Sequence, residues 1–284
     1  MKRVFFILLC LFGISFHNGW AQQEGNLRFI YQFTFQKDTG DVHSKAEEPF
    51  VLDVFRDHSS FTSLNKIVND KYLDSLTKSI ERAGGVDNIT SINIRKPGGA
   101  ASESVIYKFP DGRIRFQDKI AGTLYEYKEE MPSDWNILDS TTTYSGYNCQ
   151  LATVQYGGRS WTAWFTMDIP ISNGPYKFMG LPGLIVKMQD AKDECIYELT
   201  EVNNQAKGID VIPKAEVVTK KEMKKMIDNS RNKSIAATIN SMAGNGTVAK
   251  VLVRDKDGRE ISMEELQRRR QVAQRKNNNR IEIE

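Results

Sequence analysis

Leu27 to Phe35 alternates apolar and polar residues, broken only by Ile30. Leu27, Phe29, Tyr31, Phe33 and Phe35 fall on one side, the period of two that marks a strand with one buried face. Further segments continue in this way. Phe50 to Phe55 reads as a second strand. Val105 to Phe109 and Arg113 to Phe116 flank Pro110-Asp111-Gly112, and an Asp-Gly pair between two such runs predicts a hairpin. Gly122 to Lys128, Tyr147 to Tyr156, Ser160 to Thr166, Leu184 to Met188 and Cys195 to Val202 extend the series, and Asn245-Gly246 turns the chain toward another strand near Thr247 to Val253.

Three helices interrupt the strands. Ile67, Leu73, Leu76 and Ile80 recur at helical spacing between Lys66 and Ala83, before Gly84-Gly85. Thr219-Lys220-Lys221-Glu222 and Ser262-Met263-Glu264-Glu265 each have capping-box form, in which the hydroxyl and the carboxylate satisfy the free amides of a first turn. Helices early and late with unalternated strands between them predict an α+β fold, mainly antiparallel β: a curved open sheet or half-barrel with a few flanking helices. Gly98 to Ser102 reads as a loop. Asn277-Asn278-Asn279 reads as a solvated end, and Arg268 to Arg270 as a helix face balanced by Glu264 and Glu265.

The N-terminus constrains the compartment. Lys2 and Arg3 precede an apolar run from Val4 to Ile14, followed by the small-x-small triplet Gly19-Trp20-Ala21. This is the layout of a secretory signal cleaved after Ala21, and the run is short for a permanent membrane span. The expected organisation is a signal peptide over 1–21, a single sheet-rich domain over 22–255, and a C-terminal helix and polar tail over 256–284. The expected location is the periplasm, with secretion or outer-membrane association as alternatives. No transmembrane segment is expected after cleavage. With 39 Lys and Arg against 36 Asp and Glu, the balance does not point to nucleic acid. Cys149 and Cys195 remain in the exported part. They are expected in strands of one sheet and within bridging distance; a bridge and two buried thiols both stay open. His43 and His58 with two separated cysteines make no metal-ligand spacing, and neither histidine pairs with a nucleophile motif, so the sequence assigns no catalytic residue, metal or cofactor.

The densest information lies between Trp135 and Asp190. Gly146-Tyr147-Asn148-Cys149-Gln150-Leu151-Ala152 is followed by Gly158-Arg159-Ser160-Trp161-Thr162-Ala163-Trp164-Phe165, then by Gly174-Pro175-Tyr176-Lys177-Phe178-Met179-Gly180-Leu181-Pro182-Gly183-Leu184-Ile185. These ordered blocks resemble the GLPGLI family of exported Gram-negative proteins, named for the hexapeptide Gly180 to Ile185. The resemblance implies an exported, sheet-rich protein and no reaction.

Read physically, Trp161, Ala163 and Phe165 share one face of a strand and Thr162, Trp164 and Thr166 the other, as core packing or as a groove wall. Arg159 is expected to pair with Asp168 or Asp190, or to anchor a ligand. Leu181-Pro182-Gly183-Leu184 predicts a type II turn with positive φ at Gly183. Leu184 and Val186 are expected on the buried face, with Ile185 and Lys187 opposite. Tyr176, Lys177 and Phe178, held between two turns, are either a chain reversal feeding the core or a rigid rim facing a partner. The function expected from all this is that of a non-enzymatic envelope protein. Its partner would be an apolar ligand, a peptide or an outer-membrane protein, and the sequence does not give its oligomeric state. The alternatives are a periplasmic hydrolase using carboxylates and a structural or assembly protein of the envelope.

Overall fold

The structure is a computed structural model and describes residues 27–82, 103–203, 211–232, 253–254, 258–275 and 278–282. The expected signal peptide, Gly84-Gly85, the Gly98 to Ser102 loop and most of the strand near Thr247 lie outside these residues.

Twelve strands form one sheet. In chain order they are β1 (Leu27–Gln36), β2 (Lys45–Val54), β3 (Ser59–Ser63), β4 (Val105–Lys108), β5 (Arg113–Ile120), β6 (Thr123–Glu130), β7 (Asn136–Tyr144), β8 (Tyr147–Tyr156), β9 (Arg159–Thr166), β10 (Leu184–Asp190), β11 (Cys195–Asn203) and β12 (Glu216–Val217). Their order across the sheet is β12-β6-β5-β4-β3-β2-β1-β11-β10-β9-β8-β7, antiparallel except where β12 joins β6. A two-stranded ribbon, β13 (Val253–Arg254) and β14 (Glu260–Ile261), stands apart. The mainly antiparallel open sheet with few helices is the expected fold.

The sheet is strongly curved. Nine strand steps separate β6 from β8, roughly 43 Å in a flat sheet at about 4.8 Å per step. Yet the Tyr156 hydroxyl of β8 reaches Glu129 of β6 at 3.4 Å. Side chains, and not a backbone ladder, bring these strands together across the mouth of the curl.

Inside the curl the period of two becomes a continuous apolar row. Tyr127, Phe116, Ile106, Phe61, Leu52 and Phe29 stand directly opposite one another from β6 across to β1. The segment between β9 and β10 folds into the same interior as a plug. Ile169, Phe178, Met179 and Leu181 are buried, and Phe178 packs on Trp161, Trp135 and Tyr156. Its backbone is tied to the walls: Lys108 donates to the Gly174 carbonyl at 2.5 Å, Trp135 to that of Met179 at 2.9 Å, and Tyr31 to that of Ile185 at 2.7 Å. These bonds satisfy irregular backbone that burial would otherwise leave unpaired.

Among the described residues the helices are α1 (Leu64–Arg82), α2 (Lys220–Asn232) and α3 (Met263–Arg275). Each begins at its cap. Ser63 accepts from Lys66 N, so α1 starts two residues before the expected Lys66. Thr219 and Glu222 exchange reciprocal bonds, and Ser262 accepts from Glu265 N. Leu73 on α1 is exposed, while Met223 of α2 is buried against Ile120 and Tyr127. Arg268 and Arg269 pair with Glu265, as the charge pattern predicts.

The structure corrects several expectations. Ser59 to Ser63 forms a central strand, β3, which the series of expected strands does not include; Ser59 and Ser60 stand opposite Val54 and Asp53. Gly183 does not have positive φ; Gly180 does, at 98°. Leu184, Ile185 and Val186 are all buried, because residues 173 and 174 of the plug cover the face that Ile185 was expected to expose. Cys149 and Cys195 are free and buried. Cys149 stands level with Thr166 and so with Leu184 at one end of β10, whereas Ile196, beside Cys195, stands opposite Gln189 at the other. That separates them by roughly 20 Å along the strands, well beyond bridging distance.

Candidate functional site

A hollow of about 280 Å³ opens on the concave face. Its floor is aromatic: Phe33, Phe50, Phe61, Phe116, Tyr127 and Tyr197. Met223 and Ile227 of α2 close one side, and residues 279–282 of the C-terminal segment close another. Tyr197 stacks on Phe33 with ring centroids 4.1 Å apart, and its buried hydroxyl makes no hydrogen bond among the described residues. An unpaired buried hydroxyl costs about 1–3 kcal/mol.

Beside the hollow lies a charged clamp. Lys177, fully buried, contacts Glu129 and Glu282 and donates to the Tyr127 hydroxyl at 2.9 Å. The rings of Phe116, Tyr127, Tyr156 and Tyr176 surround its ammonium, with centroids 5.2–5.9 Å away. Lys220, at the start of α2, reaches Glu282 at 2.6 Å and Glu129 at 2.9 Å. The Tyr176 hydroxyl donates to Glu282 at 2.5 Å and that of Tyr156 at 3.3 Å. Tyr176 itself sits at φ 53°, an uncommon conformation for a bulky residue, so its placement against Glu282 is imposed by the surrounding plug.

Arg159 completes the clamp. It is buried, pairs with Asp190 at 2.6 Å and Glu194 at 2.7 Å, and donates to the carbonyls of Arg280 at 2.7 Å and Ile281 at 3.1 Å. Its other terminal nitrogen meets the Asn279 side chain at 2.5 Å. Asn279 also donates to the carbonyl of Gln36 at 3.0 Å. Asn277 lies outside the described residues, but Asn278 and Asn279 do not read as a solvated tail: Asn278 pairs with Thr39 and Asp38, Asn279 with Gln36 and Arg159, and Ile281 packs on the main core.

Arg159 thus takes the Asp190 pairing, and Asp168 instead accepts from Asn148 N. Trp161 is core, and its indole donates to the Tyr156 carbonyl at 3.0 Å; Trp164, on the opposite face, is half-buried. Phe178 is core and not a rim. Tyr176 and Lys177 come together with Arg159 at the C-terminal segment. Lys220, Glu129, Tyr127, Tyr156 and Glu282 escape a motif search, because they come from four separate stretches that only the curl of the sheet unites. Arg280-Ile281-Glu282 does alternate polar and apolar, and that was the available signal.

The chemistry of this cluster favours holding charge over moving protons. Burial would raise the Glu282 carboxyl, but Lys177, Lys220 and the Tyr176 hydroxyl outweigh it and hold the group at about 2. A carboxylate so acidic is neither a general acid nor an effective base near neutral pH. Burial pushes the Cys195 thiol up to about 12, which removes it as a nucleophile. Among the described residues, no group of three His, Cys, Asp or Glu could hold a metal, and no helix is long and apolar enough to cross a membrane.

The depressed Glu282 carboxyl makes docking of the C-terminal segment pH-dependent. Its stabilisation is complete above the unfolded value of 4.5 and is lost as pH falls from there toward about 2. The full contribution is on the order of 3 kcal/mol. Hydrogen exchange of the Asn279 amide, which donates to the Lys37 carbonyl, reads the change. Protection should fall between pH 4.5 and 2, ahead of the sheet amides; protection unchanged across that range would contradict the assignment.

The model of one protein family, described as a protein of unknown function (Porph_ging), matches residues 152–187, which run from within β8 through the plug into β10. A search of curated proteins finds no match. Among solved structures, PNGF-II in its P21 crystal form is 13% identical with a TM-score of 0.50, over 73% of this chain and 34% of that one. Its C2 form is 14% identical with a TM-score of 0.48, over 72% and 33%. The chain therefore spans about a third of PNGF-II, and the likeness is one of fold.

Proposed function

We propose that this is an exported, non-enzymatic binding protein of the Gram-negative envelope, and that an apolar ligand enters the aromatic hollow on the concave face. The observation that carries this reading is the floor of the hollow: six aromatic residues around about 280 Å³. Ligand sites are typically concave and mostly apolar, with few polar groups to set orientation, and this one has that composition. Membership of the GLPGLI family and export through residues 1–21 are part of the same proposal. They rest on the block from Gly146 to Ile185 and on the N-terminal pattern. A hydrolase reading would place its carboxylates at Glu129 and Glu282, but both are neutralised by Lys177 and Lys220.

The test is a titration of the full chain with N-phenyl-1-naphthylamine, a neutral apolar fluorophore. The proposal expects one saturable site, and at least tenfold weaker binding in Ile227→Trp, whose larger ring enters the hollow from α2. Ile227 is only half-buried, so the variant should fold. Absence of saturable binding, or binding indifferent to Ile227→Trp, would count against it.

A further inference from the structure

The cleft beside the hollow is built to hold a peptide. Arg159 bonds two successive backbone carbonyls, those of Arg280 and Ile281, and the Asn279 side chain before them. Carbonyl reading at consecutive residues recognises peptide backbone as such, and would be wasted on a free fatty acid or a small anion. The next residue delivers its carboxylate between Lys177 and Lys220. Among the described residues, the body of the protein supplies that pair of ammonium groups with a single carboxylate, Glu129, so the clamp is one negative charge short until Glu282 arrives. Leaving a buried lysine without a full set of partners is costly, and the site therefore requires an acidic occupant. The wall is shaped to it as well: a Cβ built at Gly157 would stand 2.8 Å from Glu282 Cγ and 3.2 Å from its Cα.

The occupant seen here is held as a ligand would be. It follows α3, and no described side chain of that helix belongs to either buried cluster. The segment is held by its bonds to the cleft, by Arg280 to Asp228 of α2 at 2.7 Å, and by bonds of Asn278 and Asn279 to residues 36–39. It also forms a wall of the aromatic hollow, so its departure would widen the hollow and expose the clamp together.

We propose that the cleft formed by Gly157, Arg159, Lys177 and Lys220 is a receptor for an acidic peptide of a partner protein, with an aliphatic residue directly before its glutamate. This chain's own residues 279–282 are the resident peptide that such a partner displaces. The cleft is a second site beside the aromatic hollow, and it borders the hollow along residues 279–282.

The experiment uses a fluorescein-labelled peptide carrying residues 277–284 and follows its polarisation with full-length protein. Wild-type chain should bind it weakly, because the resident segment competes. An Ile281→Ser, Glu282→Gln chain should bind it at least tenfold more tightly, and the same peptide with Glu282→Gln should lose that gain. Adding Lys220→Met should weaken the peptide at least tenfold; Lys220 is half-exposed, so its loss leaves the fold intact. If the weakened-tail chain ignores the peptide but still takes N-phenyl-1-naphthylamine, the peptide site falls and the hollow survives; if it takes neither, both readings fall. If wild-type chain forms a dimer that the peptide dissociates, the occupant is the tail of a second copy and the partner-peptide reading is overturned.

Discussion

Gly183→Ala is expected to destabilise the protein by roughly 3 kcal/mol or more, at the upper end of what overpacking a core costs. The reason is close approach and not φ. A Cβ at Gly183 would overlap the carbonyl oxygen of Thr166 and stand 2.6 Å from its carbonyl carbon, and 3.1 Å from Met167 N. These are backbone atoms of β9, so no rotamer change relieves the clash. Leu184, the next residue, pairs with Thr166 across β9 and β10, and pushing the strands apart there loosens the anchor of the whole plug. Urea unfolding measures the effect. Gly180→Ala, at positive φ but meeting most closely the movable Met131 side chain at 3.1 Å, with Trp135 Nε1 at an ordinary 3.7 Å, should cost less. A Gly183→Ala chain as stable as wild type would mean that β9 and β10 are not packed as described.

Lys177→Met should cost about 3 kcal/mol, the lower end of the range for breaking a buried ion pair. Methionine preserves most of the volume within the ring of Phe116, Tyr127, Tyr156 and Tyr176 but leaves Glu129 and Glu282 to share Lys220 alone. Half-exposed Lys220 compensates in part, which places the value at the lower end. The diagnostic is the double variant. Glu129→Gln beside Lys177→Met should recover part of the loss, because it removes a carboxylate that has lost its partner. If the two losses simply add, Lys177 acts through packing and the charged clamp is not a coupled unit.

The strands were legible because their buried faces keep a period of two: Phe29, Tyr31 and Phe33 lie inward as their spacing predicts. The helix starts were legible because Thr219 and Ser262 carry the chemistry of a first turn. β3 was not, since its inward serines bond to groups from distant segments: Ser63 to Glu48 and Ser59 to Asn173. Polarity that is satisfied only in three dimensions reads as a loop in one. The plug misled for a related reason. Tyr176-Lys177-Phe178 between two turns looks like a presented loop, and only the curl of the sheet reveals that it points inward. The clamp was half visible. Arg159, Tyr176 and Lys177 stood out within the dense central block, whereas Glu282 lies 105 residues beyond Lys177, in a stretch whose asparagines suggest solvent.

Hydrogen exchange of the full chain with and without saturating N-phenyl-1-naphthylamine tests most directly whether the concave face is the binding site. The account predicts that added protection is confined to amides of β1, β2, β3, β5, β6 and β11, whose side chains floor the hollow, and to α2 above it. Protection confined to β7, β8 or α3, with the floor strands unchanged, would contradict it.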